Sequence, residues 1–199
     1  MTEIKLFNRW STEGITVKDQ GLQRYITLTP VFAPKTGARY AGNRFHKSKL
    51  SIVERFMNKL MIPGHKAKKH KFSSGICSGK ANTVYDLTEE MLTIIEQKTK
   101  KNPVEVLVRA VENGAPREEI ITTEYGGARY PKPVECAPQR RVDFVIRQMT
   151  QAAFQKSTKS KKSAAQALAD EVIAASNKMP ASGAISKKLD MERQADASR

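Results

Sequence analysis

Residues 117–136 of the chain, REEIITTEYGGARYPKPVEC, predict a two-stranded β-hairpin arm. Gly126 and Gly127 supply the positive φ angles that a tight reversal needs, and the runs on either side are rich in β-branched and aromatic residues. Pro131 and Pro133 are two residues apart, so both missing N–H groups fall on the same edge of one strand. A hairpin alone is marginal in water, so this arm needs a body at its base and a partner at its tip.

The sequence on both sides of the arm has helical periodicity. Apolar residues recur at helical spacing over 51–62, 82–98, 102–114, 138–154 and 163–177. Asn102 followed by Pro103 marks the start of one helix, and Ser163 with Gln166 forms a capping box at the start of another. Ser51 with Glu54 predicts a second capping box. In the polar segment 182–199, Ile185, Leu189 and Met191 are the residues expected to dock it. Together these segments predict a mainly α fold with a projecting arm.

Residues 1–50 have a different character and predict an irregular N-terminal extension that wraps the body. Short apolar patches are separated by Gly and Pro without a sustained period of 3.6, and the composition becomes basic from Lys35. Trp10 is the only tryptophan, and its apolar neighbours Leu6 and Phe7 favour a buried anchor over a base-stacking platform. We expect a single helical domain over 51–199, with the arm at about 117–136.

The charge of the chain indicates a polyanionic partner. Of 199 residues, 35 are Lys or Arg and 20 are Asp or Glu, which leaves a formal charge of +15 and a pI near 9.9. Residues 35–80 carry +11 and residues 138–162 carry +6, so the excess is concentrated in two segments. A solvated basic surface is the simpler alternative. An anionic membrane is a weaker one, since no run of about 18 apolar residues exists and the N-terminus does not resemble a signal peptide.

Motifs for chemistry are weak in this sequence. Residues 74–81 resemble a phosphate-binding loop, but only three residues separate the glycines and Ala81 follows the lysine. His65, His70 and Cys77 lack a fourth metal ligand and the usual spacing. Two cysteines without a C-x-x-C pattern indicate a reducing compartment and no disulfide framework. No catalytic set is recognisable, so the sequence predicts neither an enzyme nor a cofactor or metal site.

The order of several short strings resembles one known family. Residues 114–119 (GAPREE), Gly126-Gly127, residues 134–136 (VEC) and residues 138–142 (PQRRV) are similar to the universal small-subunit ribosomal protein of the seventh family. Residues 6–10 (LFNRW), 52–55 (IVER) and 184–188 (AISKK) resemble its archaeal and eukaryotic branch, which has an N-terminal extension. The resemblance covers nearly the whole chain.

This resemblance implies a ribosomal function without catalysis. The family has a roughly six-helix, bundle-like body whose projecting β-hairpin lies near the exit-site tRNA and the mRNA. It binds the 3′ major domain of small-subunit rRNA, nucleates assembly of the head, and meets neighbouring proteins of the head and platform in the cytoplasmic ribosome. The rRNA-binding residues that it implies here are cationic: Arg39, Arg44, Lys47, Lys49, Lys66, Lys68, Lys69, Lys71, Arg117, Arg140, Arg141 and Arg147. The implied tip residues, near mRNA and tRNA, are Tyr125, Gly126, Gly127, Arg129 and Tyr130.

An architectural DNA-binding protein with a β-ribbon arm is the alternative from another class. Such arms enter the minor groove and often wedge an apolar side chain such as proline between base steps, and in this alternative Pro131 and Pro133 would be the wedges. The long basic N-terminal half and the neutral C-terminal helices fit this alternative poorly. An enzyme is a third reading, and a pocket that contains groups with displaced pKa values would favour it.

Overall fold

The computed structural model describes residues 4–62, 79–158 and 160–199. Within these ranges the chain forms a helical body with one two-stranded antiparallel sheet, which confirms the predicted fold class. Six longer helices, α3 to α8, build the body, and two four-residue helices lie in the N-terminal extension. The elements in chain order are α1 (Gln20–Gln23), α2 (His46–Lys49), α3 (Ile52–Leu60), α4 (Ala81–Thr99), α5 (Pro103–Gly114), β1 (Glu118–Tyr125), β2 (Ala128–Glu135), α6 (Pro138–Thr158), α7 (Ala164–Ser176) and α8 (Gly183–Ala197).

The arm has the predicted geometry. Tyr125 pairs with Ala128 across a two-residue turn, in which Gly126 and Gly127 have φ angles of 58° and 83°. Pro131 lies opposite Thr122 and Pro133 opposite Ile120. The N–H of Cys136 donates to the carbonyl of Arg117 at 2.8 Å, and hydrogen-bonded pairs alternate along an antiparallel ladder. Both prolines therefore occupy non-hydrogen-bonded positions, where β1 needs no donor from them.

Two of the three predicted helix starts are confirmed. The Asn102 side chain accepts from the N–H of Val104 at 3.0 Å with Pro103 at the first helical position, and the Ser163–Gln166 capping box is complete. The box at Ser51 is wrong, because this serine makes no side-chain capping bond. Glu54 is buried instead under the extension, where it accepts from the N–H and Oγ1 of Thr36 at 2.9 and 2.7 Å.

Helix α5 is the centre of the body. It contacts α4, α6, α7 and α8, and the predicted stripe of Val104, Leu107, Val108 and Val111 is buried. Helix α6 comes close to α5 at Gly114, the last residue of α5, because a Cβ on Gly114 would lie 2.8 Å from Cγ1 of Val145. Glycine at this position therefore permits the close packing of α5 on α6.

The N-terminal extension belongs to the same apolar core. Leu6, Phe7 and Trp10 are buried together with apolar residues of the helices. The indole N–H of Trp10 donates to Oε2 of Glu96 on α4 at 3.0 Å, and Trp10 is only 4% exposed. The prediction that Trp10 is a buried anchor is thus confirmed.

Helix α8 packs on the arm as well as on the body. Ile185 is buried as predicted, but Leu189 is 48% exposed, so its predicted docking role is wrong. Ser182 caps the helix and donates to Oε1 of Glu171 at 2.7 Å; Glu171 is fully buried and also accepts from Nζ of Lys156 at 2.6 Å. Within the described ranges, no helix combines the length and apolarity needed to cross a membrane.

Candidate nucleic-acid interface

Helices α2, α3 and α6 gather four cations around one carboxylate. Nζ of Lys47 lies 3.1 Å from Oδ2 of Asp143, and Arg55 donates to Oδ1 from Nη2 at 3.0 Å and from Nε at 3.2 Å. Lys59 lies one turn beyond Arg55, and Arg147 lies one turn beyond Asp143. We refer to these five residues as the Asp143 cluster. One carboxylate does not balance four cations, so the cluster attracts anions.

Partial burial and the neighbouring cations both affect the pKa of Lys59. Burial lowers the pKa of this lysine, and the nearby guanidinium of Arg147 and ammonium of Lys47 lower it further, while Asp143 opposes them. A phosphate at this surface would relieve that repulsion and add charge-assisted hydrogen bonds. The geometry is therefore suited to binding a phosphate backbone.

Arg55 has a structural part in the cluster. Its side chain is only 5% exposed, and it also donates to the carbonyls of Tyr25 and Gln139 at 3.2 and 3.1 Å. It thereby joins the extension, α3 and α6. Sequence reasoning missed both Arg55 and Lys59, although their spacing of four residues on one predicted helix was a usable sign that they share a face.

The predicted cations of the extension are exposed, and one of them, Lys47, reaches the cluster. Arg39, Arg44 and Lys49 are exposed in or next to the turns that lead into α3. The guanidinium of Arg44 lies 5.2 Å from the ring centroid of Phe45, which is itself 52% exposed. Lys47 connects this segment to α6 through Asp143. The basic segment of the extension is therefore joined to α6 at Lys47.

Two predicted arginines lie at the base of the arm. Arg140 is exposed and its Nη2 lies 2.6 Å from Oε2 of Glu119 on β1, a contact that raises the pKa of the guanidinium. Arg117 is exposed at the start of the arm, where its backbone N–H donates to Oε1 of Glu192 on α8 at 3.1 Å. Helices α6 and α8 thus hold the arm from two sides.

Arg141 differs from the other predicted cations. Its side chain is only 11% exposed; Nη2 lies 2.8 Å from Oδ2 of Asp19, and Nε donates to the carbonyl of Pro116 at 2.9 Å. These contacts link the cap of α1 to the start of the arm. The guanidinium is committed within the chain, so the phosphate contact expected of Arg141 does not fit its surroundings.

The arm tip is open to solvent. Tyr125 and Tyr130 are 72% and 55% exposed. Arg129 faces Glu124 across the strands with 3.7 Å between Nε and Oε2, and both side chains are more than half exposed. The tip therefore offers aromatic rings and a loosely paired charge, without a strong positive field of its own.

Four predicted contacts, Lys66, Lys68, Lys69 and Lys71, lie outside the described residues. The same holds for His65, His70 and Cys77 of the rejected metal set and for most of the rejected phosphate loop. Among the residues that the structure does describe, no group of three His, Cys, Asp or Glu side chains is placed to hold a metal.

Two features bear on the enzyme reading. A mainly apolar groove of about 330 Å³ lies between the extension and α3, lined in part by Tyr40, Leu50 and Met57. The Glu54 carboxylate in this groove already accepts two hydrogen bonds from Thr36. At the arm base, burial and then the neighbouring Glu119 raise the pKa of Cys136 to about 11. This thiol is therefore uncharged near neutral pH and is a poor nucleophile. Neither feature forms a catalytic arrangement.

The fold and this surface define a basic, mainly helical class of protein in which a β-arm projects from a body with exposed cations. The chain belongs to the family described as ribosomal protein S7p/S5e, whose model matches residues 22–199. The predicted resemblance is thereby confirmed. Members of this family are structural and non-enzymatic, which supports the prediction that the chain is not an enzyme.

Similar proteins from archaea match almost the whole chain. The small ribosomal subunit protein uS7 of Nanoarchaeum equitans is 48% identical over 197 residues, which cover 99% of this chain and 100% of that protein. The protein of the same name from Methanosphaera stadtmanae is 47% identical over 96% of each chain. That from Methanococcus maripaludis is 44% identical over 99% of this chain and 100% of its own length. These matches agree with the predicted archaeal and eukaryotic branch.

Proposed function

We propose that this protein is a structural constituent of the small ribosomal subunit in the cytoplasm. In this proposal it binds the 3′ major domain of small-subunit rRNA and nucleates assembly of the head. Its arm then lies near the exit-site tRNA and the mRNA, and neighbouring proteins of the head and platform complete its surroundings. Membership in the ribosomal protein S7p/S5e family and the names of the archaeal relatives support the assignment to the small ribosomal subunit.

The Asp143 cluster is the observation that carries the RNA-binding part of the proposal. Cations from α2, α3 and α6 lie on one surface although they are far apart in the sequence. Such a surface holds phosphates from more than one RNA helix and fixes their relative orientation. Recognition of this kind depends on shape and phosphate positions more than on base identity.

The proposed rRNA contacts follow from exposure and position. Arg141 is left out because its guanidinium is bound to Asp19 and Pro116. Lys59 is added because it shares the Asp143 cluster. The proposed contacts within the described residues are Arg39, Arg44, Lys47, Lys49, Lys59, Arg117, Arg140 and Arg147, and Lys66, Lys68, Lys69 and Lys71 remain proposed from the sequence.

We treat residues 51–199 as one helical domain, onto which residues 1–50 fold as an extension. The buried Leu6, Phe7 and Trp10 support this arrangement, because they join the core that the helices form. In this arrangement the extension delivers its basic segment to the side of α6 through the pair between Lys47 and Asp143.

Replacing Lys47 and Arg147 together with glutamine tests the proposed surface. We expect affinity for a 3′ major domain rRNA fragment to fall roughly tenfold at moderate salt, because two phosphate contacts are lost. The slope of log K against log salt should also decrease by about two. Filter binding or fluorescence anisotropy at several salt concentrations measures both quantities. Both side chains are exposed, so thermal unfolding should change little.

The matched control replaces Lys101 and Arg109 with glutamine. These residues are exposed beside and on α5, and the double variant has the same change in net charge. We expect its affinity to stay within about twofold of the unmodified protein, with only a small change in salt slope. An equal loss in both double variants would show that net charge alone drives binding, and the proposed surface would then be abandoned.

Removal of the arm tip tests whether the body binds rRNA independently of the tip, which we propose lies near the exit-site tRNA. A variant lacking residues 125–130 should bind the rRNA fragment within about twofold of the unmodified protein, since the tip has little net charge. Small subunits assembled with it should differ in the occupancy of exit-site tRNA, measured with labelled tRNA. Loss of rRNA binding itself would contradict this division.

The register of the arm also bears on the DNA alternative. Pro131 and Pro133 lie on the face of the ribbon that carries Glu118, Glu124 and Glu135. A proline wedge on this face would bring three carboxylates towards the DNA phosphates, which is unfavourable. The RNA-binding proposal is therefore preferred.

A further inference from the structure

The direction in which the arm projects is determined by contacts at its base. Within the described ranges, β1 pairs with β2 and with no further strand, so no sheet continues from the body into the arm. The N–H of Cys136 donates to the carbonyl of Arg117 at 2.8 Å and closes the ladder at the base. The ribbon is therefore a unit by itself, and its contacts with the helices of the body fix its direction.

Helix α8 contacts both strands and binds the first residues of the arm through polar groups. Oε1 of Glu192 accepts from the backbone N–H of Arg117 at 3.1 Å. Just beyond the helix, Nη2 of Arg199 donates to the two carboxylate oxygens of Glu118 at 2.5 and 2.6 Å. The Arg199 side chain is more than half exposed, so water and salt weaken this pair. The contacts between α8 and the arm therefore open easily.

The other end of α8 is fixed to the body by buried contacts. Oε1 of the fully buried Glu171 accepts from the N–H of Ala184 at 3.2 Å as well as from the hydroxyl of Ser182. A Cβ on Gly183 would lie 2.6 Å from Cβ of Ala152, so α8 lies very close to α6 at this point. Buried hydrogen bonds to a carboxylate are stronger than exposed ones. The first turn of α8 is therefore held more firmly than its last.

Helix α6 binds the arm from the opposite face. Nη2 of Arg140 lies 2.6 Å from Oε2 of Glu119. Glu118 and Glu119 are consecutive residues of β1, and consecutive side chains of a strand point to opposite faces of the ribbon. The pairs Arg199–Glu118 and Arg140–Glu119 therefore act on the arm from opposite faces.

The peptide unit that enters the arm lies between the same two helices. Its carbonyl, from Pro116, accepts from Nε of Arg141 on α6 at 2.9 Å, and its N–H, from Arg117, donates to Glu192 on α8. The Arg141 side chain is largely buried and also binds Asp19, so the α6 side of this peptide stays fixed when the α8 side opens. The pivot of the arm therefore lies just beyond Pro116.

We infer that α8 holds the arm in the direction seen here, and that opening of the contacts made by Glu192 and Arg199 lets the arm turn towards α6. The body and the ribbon keep their structure, because Glu171 still anchors α8 and the ladder of the arm is intact. A strand rises about 3.3 Å per residue, so the eight residues of β1 span about 26 Å and a turn of about 15° moves the tip by about 7 Å. One fixed body can thus present the arm at more than one position. This inference goes beyond the proposed function, since it concerns the free protein.

The test measures two distances by double electron–electron resonance in the full chain without RNA. Spin labels are attached through an unnatural amino acid that carries a ketone, so the native cysteines remain unchanged. Labels in place of Tyr125 and Ser186 report the distance from the arm tip to α8. Labels in place of Gln97 and Ser186 report the distance from α4 to α8. All three positions are exposed.

Glu192→Ala combined with Arg199→Gln removes both contacts of α8 with the start of the arm and leaves the net charge unchanged. We expect the distance from tip to α8 to increase by about 5 Å or more and its distribution to broaden. The distance from α4 to α8 should stay the same. Hydrogen exchange of the backbone amides of 118–135 should also stay the same, because the ladder is intact.

Arg140→Gln removes the opposing pair with Glu119. The distance from tip to α8 should then shift in the opposite direction, because the contacts with α8 are no longer balanced from the other face. A shift in the same direction as in the Glu192 and Arg199 variant would contradict the opposing action of the two helices.

Lys187→Gln combined with Asp190→Ala is the matched control, because both residues are exposed on α8 and the net charge is again unchanged. We expect both distances to equal those of the unmodified protein. An unchanged distance from tip to α8 in the Glu192 and Arg199 variant overturns the inference, as does an equal change in the control. A longer distance from α4 to α8 would show that α8 leaves the body, and faster exchange of 118–135 would show that the ribbon melts. Either result overturns the inference as well.

Discussion

Leu107→Ala is expected to lower the free energy of unfolding by about 2 to 5 kcal/mol. Leu107 has no exposed surface and lies in α5, which contacts α4, α6, α7 and α8. The substitution removes buried methyl groups and leaves a cavity that four surrounding helices do not close easily. Urea unfolding followed by circular dichroism measures this change in free energy. The urea concentration at the midpoint should fall, while the dependence of the unfolding free energy on urea stays similar.

Leu189→Ala is the matched control for this experiment. It deletes the same atoms from α8, but Leu189 is 48% exposed. We expect a change below about 1 kcal/mol, because little apolar surface returns to water. If the two variants lost equal stability, α5 would not be the centre of the core.

Local periodicity explains why the helices could be predicted. The stripe of α5 and that of α6, including Val142, Ile146 and Met149, are buried as expected. The stripe positions of both helices face neighbouring helices, so they are apolar and recur every three or four residues. Helix α5, which is surrounded by four helices, buries Val106 and Ala110 as well. The start of α5 at Asn102 was predictable for a related reason, since its cap uses a donor only two residues away.

The arm was predictable from chemistry confined to a few residues. Positive φ at Gly126 and Gly127 defines a two-residue turn, which then determines the register of the strands. The register gives the faces of Tyr125 and Tyr130. The side of the arm that each body helix borders was not predictable, since it depends on Arg140 and Arg199 reaching carboxylates 21 and 81 residues away.

The roles of individual cations could not be read from the sequence. Arg140 and Arg141 are neighbours on one helix, yet the first is exposed and the second is bound to Asp19 and Pro116. Glu54 looked like part of a local cap, but a long-range partner, Thr36, occupies it. A local pattern predicts that a residue is charged and on a helix. Only the packed chain determines whether that charge is available to a ligand.

Arg55→Met is expected to lower the free energy of unfolding by about 2 to 3 kcal/mol, because a buried charge pair loses one partner. The guanidinium donates to Asp143 and to the carbonyls of Tyr25 and Gln139, and methionine replaces none of these donors. The expected loss lies below that of a fully buried pair, since Asp143 is 36% exposed and keeps Lys47 as a partner. Thermal or urea unfolding measures it.

Lys47→Met provides the decisive comparison, because Lys47 and Arg55 bind the same carboxylate. The Lys47 side chain is 46% exposed, so its removal should cost less than about 1 kcal/mol of stability. Its rRNA affinity should nevertheless fall roughly threefold, through one lost phosphate contact. Arg55→Met should show the reverse pattern at temperatures where it is folded, with a large loss of stability and a smaller change in RNA affinity. If the two substitutions lowered stability equally, the difference in exposure between Arg55 and Lys47 would not explain their roles. The division into a structural Arg55 and an RNA-binding Lys47 would then be wrong.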